Sequence, residues 1–80
     1  MKTIMYVMSN DAKWMEREEN LLFTPYPGTD IDGITGGQAL RINGMAYNVA
    51  ENYFKLRLSW LSPDPLTSAE MVELGWKIKT

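Results

Sequence analysis

The chain contains no cysteine and no histidine. The first absence excludes disulfides and thiolate zinc sites. The second leaves any metal site to carboxylates and carbonyls, a donor set suited to Mg²⁺ or Ca²⁺. Together they confine general acid–base chemistry to carboxylates, lysine or tyrosine. Long apolar runs are also missing, since the N-terminal stretch Ile4–Met8 is far too short to span a bilayer. Lys2 ahead of that run gives it the look of a signal peptide. Asn10, Asp11 and Lys13 end it early and without a small-residue cleavage site, so a cytoplasmic protein is expected.

A large net charge is missing as well. Eight basic and ten acidic side chains leave a net charge of −2. That balance disfavours nucleic acid, whose affinity for proteins comes mainly from basic side chains on phosphate. What is abundant is apolar and aromatic: 45% hydrophobic residues, with three tryptophans, four tyrosines and two phenylalanines. This is the composition of a folded chain. Eighty residues make one domain, residues 1–80, and a domain this size buries only about 60–65% of its unfolded surface. With no disulfide or strong metal site, a homodimer or a larger partner becomes the natural source of extra stability.

The chain order is read from periodicity. Thr3–Met8 is a continuous β-forming run, predicted as a central strand. Over Asp11–Leu22, Trp14, Met15, Glu18, Leu21 and Leu22 trace a weak helical stripe with Asn10 or Asp11 as N-cap. This predicts a short amphipathic helix, with an extended loop as the alternative. Thr24–Gln38, rich in proline and glycine, is predicted as a loop, and a loop of that length is usually functional or disordered. Asn43-Gly44 between alternating residues predicts a two-residue hairpin turn. It places Leu40, Ile42, Met45, Tyr47 and Val49 on one face and Arg41, Ala46 and Asn48 on the other. Glu51-Asn52 predicts a second turn, and Phe54–Trp60 a third alternating strand. Thr67 with Glu70 forms a capping-box pattern, and Gly75 predicts the end of a helix over about 68–74. Trp76–Lys79 suits a short terminal strand. The expected fold is α+β: a small antiparallel sheet, made of a three-stranded meander plus the N-terminal strand, packed with one or two short helices.

Motifs for chemistry are few. Asp30-Ile31-Asp32-Gly33 fails the calcium-loop pattern because the positions of the first and twelfth ligands fall on Gly28 and Ala39. Gly33-Ile34-Thr35-Gly36-Gly37 lacks the Lys-Ser/Thr of a phosphate loop, yet Gly33, Thr35, Gly36 and Gly37 can cradle an anion with backbone N–H groups. Tyr53, Phe54, Lys55, Arg57 and Trp60 mix rings with bases, an arrangement read as a core face backed by a solvated face. No catalytic residues, metal or cofactor are expected, and the chain is not expected to be an enzyme. The surplus of rings favours a protein interface, with Tyr26, Asp30, Asp32, Trp14, Tyr53 and Trp76 as the contact residues. In general character, without a motif to support it, the chain resembles accessory proteins of bacteriophages and mobile elements. The expectation is a non-enzymatic protein-binding module that inhibits a bacterial host or defence factor. The alternatives are an oligomer that sequesters a nucleotide or other anion, and a virion assembly component.

Overall fold

A computed structural model describes residues 2–80. Its elements are β1 (Lys2–Met8), β2 (Trp14–Asn20), β3 (Asp30–Ile31), β4 (Leu40–Asn48), β5 (Tyr53–Trp60), α1 (Ser68–Glu73) and β6 (Lys77–Ile78). All six strands join one sheet in the order β3-β4-β5-β1-β2-β6. Neighbours are antiparallel except β1 and β5, which run parallel. The expected α+β layering is therefore overturned. Strand accounts for 44% of the chain and helix for 8%, too little helix to cover a sheet.

Two local misreadings explain the difference. Asn43-Gly44 is not a turn. β4 runs straight through it as one nine-residue strand, and the pairing steps from Ile42↔Leu58 to Gly44↔Arg57, leaving Asn43 as the extra residue of a bulge. A turn there would stop the hairpin at three residues. The bulge instead lets β4 pair along the whole of β5. The reversal falls at Val49–Asn52, where the Asn48 side-chain oxygen accepts from Glu51 N–H at 2.9 Å and Asn52 takes φ +62°. A bulge and a two-residue turn both put two residues between Ile42 and Met45. The predicted face of Leu40, Ile42, Met45 and Tyr47 therefore survives the wrong turn, while Val49, expected on the same face, lies in the reversal and is exposed.

The second misreading is β2, expected as a helix or loop. Met15 faces the core beside Val7, and Arg17 takes the next position on that face, beside Met5. The Arg17 guanidinium donates to the Leu74 carbonyl at 2.7 Å, pairs with Glu19 at 2.6 Å and lies 6.0 Å from the Trp76 ring centre. A strand whose inner face holds an arginine shows no apolar alternation.

The sheet curls around its inner face. Met5, Val7, Met15, Leu40, Ile42, Leu56 and Leu58 meet Met71 and Trp76 there. The cover is mostly loop. After β2 the chain packs Leu21 on the core, buries Pro25, and pairs along the outer side of β4 through Gly28, Thr29 and β3. Thr35 is buried, its hydroxyl donating to the Gln38 carbonyl at 2.7 Å. The Trp76 indole N–H, next to edge strand β6, donates to the Ile34 carbonyl beyond edge strand β3 at 2.8 Å. That bond ties the two edges of the sheet together.

α1 plugs the remaining gap, and both of its expected ends are present. Thr67 and Glu70 form the capping box. Gly75, at φ +97°, closes the helix with Gly75 N–H to Val72 and Trp76 N–H to Met71. Asp11 does act at a helix N-terminus, but at that of α1. Its carboxylate accepts from Ser68 N–H at 2.8 Å, from the Ser68 hydroxyl at 2.5 Å and from the Ser9 hydroxyl at 2.6 Å. These donors hold the Asp11 carboxyl far below the usual range, those on Ser68 and Ser9 most of all. No described helix is long and apolar enough to cross a membrane.

Candidate functional site

Because the loop and α1 cover one face of the sheet, the alternate residues of every strand are left on the other, open face. On β1 these are Lys2, Ile4, Tyr6 and Met8. Through the parallel pairing they sit beside Tyr53, Lys55 and Arg57 of β5, and through the antiparallel pairing beside Trp14, Glu16 and Glu18 of β2. β4 adds Arg41, Gly44 and Ala46, and β6 adds Lys77 next to Glu16. Lys79 follows, its N–H donating to the Trp14 carbonyl at 2.8 Å.

This alternation sorts the charge. Lys2, Arg41, Lys55, Arg57, Lys77 and Lys79 lie on the open face with three acids, Glu16, Glu18 and Asp30, a net of three positive charges. The rest of the chain holds the other two bases and seven acids. A chain of net charge −2 therefore presents one basic face and an acidic remainder.

Tyr6 lies at the centre of the open face. The Lys79 and Lys55 ammonium groups stand 5.2 Å and 5.6 Å from its ring centre, and Lys2 stands 5.5 Å from that of Tyr53. Both rings act as platforms that gather cations. Burial on the sheet, then the neighbouring Tyr53 and Glu16, push the Tyr6 phenol above its usual pKa, so it stays protonated and can donate a hydrogen bond. A shallow groove of about 480 Å³ runs beside it, lined by Trp14, Ala46, Lys55, Arg57 and Lys79 among others. The bulge shapes this groove. A Cβ on Gly44 would lie 3.4 Å from the Arg57 guanidinium, which crosses β4 there to donate to the Asn43 side-chain oxygen at 3.2 Å. Bulges commonly re-aim a side chain in this way.

The contact residues expected from sequence are dispersed. Trp14, Tyr53 and Asp30 reach the open face, where Asp30 accepts from Arg41 at 2.8 Å and has its pKa lowered by that bond. Tyr26 is 63% exposed on the covering loop, and Asp32 is exposed in the same loop. Trp76, expected at the surface, is only 2% exposed and belongs to the core, because the turn at Gly75 directs it inward beneath Arg17. The glycine loop offers an anion a poor site, since Thr35, Gly36 and Gly37 share a hollow with Glu70 and Glu73. Among the described residues no group of three or more aspartates and glutamates is placed to hold a metal ion. Sequence reasoning missed Tyr6 and Lys79 as site residues and read Lys55 and Arg57 only as a solvated face. The signal for Lys79 was its alternation with Lys77, but it required knowing that β6 joins the sheet beside β2. No known protein family, curated protein or solved structure matches this chain.

Proposed function

We propose that the protein is a non-enzymatic binding module whose open sheet face engages an acidic protein surface. The observation that carries this is the sorting of charge around Tyr6: three aromatic rings, six bases and three acids on one side of a chain that is acidic overall. Such a face draws an acidic partner by complementary potential and excludes basic ones. A phosphate chain tracking over the molecule would meet the seven acids beyond this face, so a bounded protein contact fits better than nucleic acid. The partner we have in view is a protein of the host or defence-factor kind.

A second reading keeps the covering loop as the contact, on the strength of Leu22, Phe23 and Tyr26, which project from it into solvent. Affinity capture from a bacterial lysate with three baits separates the two. On the first reading, wild type retains a stoichiometric protein that 0.5 M salt removes, Lys55→Glu/Lys79→Glu loses it, and Phe23→Ser/Tyr26→Ser keeps it. The opposite pattern, with the charge reversal silent and the loop variant blank, would establish the loop.

A further inference from the structure

The sheet has two exposed edges, and they are guarded differently. β6 pairs with β2 only at Met15 and Glu16, and the stretch of β2 beyond carries Arg17, Glu18 and Glu19. Charges of that density are the usual protection against another strand docking there. On the other side β3 pairs with β4 only at Leu40 and Arg41, with Gly28 and Thr29 bonding Ile42. Among the described residues no strand pairs with the outer side of β4 beyond Ile42. From Ile42 to Ala50 there is no charged residue and no proline. Its side chains are also out of keeping with a solvated edge: Met45 is 41% exposed, Tyr47 is 46% exposed although its ring packs edge-on against Phe54, and Val49 is 82% exposed.

We infer that this edge, Gly44–Asn48, pairs antiparallel with the same edge of a second copy of the chain about a two-fold axis at Ala46. The stretch is its own complement. With Ala46 opposite the partner's Ala46, Gly44 meets the partner's Asn48 and Met45 meets the partner's Tyr47. Small residues then lie together on the open face, and a thioether lies against an aromatic ring on the other, a favourable contact. Neither paired stretch contains a charged residue, whereas the charged edge of β2 would oppose itself in any such pairing. The available length fits, since β3 and its approach end at Ile42 and the hairpin turns at Val49. An isologous contact closes after two copies, and the edges left at the ends of the joined sheet are the charge-guarded ones of β2 and β6. The two open faces become one continuous sheet surface. The inference does not depend on what that surface binds.

The absence of native cysteine makes the test direct. Light scattering on the full chain should give twice the 9.2 kDa monomer mass, falling to the monomer on dilution. Ala46 lies on the open face and is exposed, so Ala46→Cys should leave the fold intact. Directly opposed residues of an antiparallel pair lie about 4.5–5.5 Å apart at Cα, within disulfide reach. Mild oxidation should therefore convert Ala46→Cys almost wholly to a covalent dimer, while Glu18→Cys on the other edge dimerises without forming the covalent link. Met45→Lys, which spares the Tyr47 contacts with Phe54 and Asn52, should be monomeric with unchanged circular dichroism. A wild-type monomer at several hundred micromolar would overturn the inference, as would a dimer in which Ala46→Cys fails to cross-link.

Discussion

Asp11 and Trp76 show how much a single side chain can hold in a thin core. The Trp76 indole is both core filler and the clasp between the two edges of the sheet. Trp76→Phe keeps most of the volume and removes the bond to Ile34, which should cost about 0.5–1.5 kcal/mol, whereas Trp76→Ala should cost about 3–5 kcal/mol. Urea denaturation followed by circular dichroism measures both. Asp11 stabilises only when ionised. Its folded-state pKa lies below that of the unfolded chain, so its contribution is complete above about pH 4 and is lost as the pH falls from there toward the lowered folded value. Wild type should therefore lose more thermal stability between pH 5 and pH 2.5 than Asp11→Asn, with the two curves converging at the acid end. Parallel curves would mean that Asp11 is not the clamp of α1.

At the scale of elements, the position of the β4–β5 reversal makes an ordering of mutants. Asn52 holds φ +62°, so Asn52→Ala should destabilise the protein by about 1–2 kcal/mol. Asn43 sits in a bulge and its side chain only receives Arg57, so Asn43→Ala should stay within about 0.5 kcal/mol. A hairpin turning at Asn43-Gly44 would reverse that order, which equilibrium denaturation of the pair can check. The same elements mark what the sequence made legible. β1, the facing of β4, the last strand of the expected meander, and both caps of α1 all come from patterns within a few residues of one another. β2 was illegible because its inner face is completed by Arg17, which is satisfied by Leu74 and Trp76 from the far end of the chain. The bulge was illegible because the choice between bulge and turn depends on how much of β5 is available for pairing, a tertiary quantity.

The whole molecule is a sheet that keeps its apolar side for itself and turns its bases outward. The alternation of Lys55 and Arg57 announced a polar face. Its gathering around Tyr6 did not show in any local pattern, because it needs the parallel pairing of β1 with β5 and the docking of β6 on β2, contacts between opposite ends of the chain. At this scale the bulge also matters. Gly44→Val should crowd the Arg57 guanidinium off β4 and weaken binding of an acidic partner several-fold while lowering the melting temperature only slightly, a contrast readable by calorimetry alongside a thermal melt. The most direct measurement is an amide and side-chain NMR titration of the full chain with a polyglutamate peptide at low salt. The expected result is saturable, salt-sensitive shifts clustered at Tyr6, Trp14, Lys55, Arg57 and Lys79, with Leu22–Pro27 of the covering loop unmoved. Shifts confined to the covering loop, or spread evenly over the surface, would contradict the assignment of the open face as the binding surface.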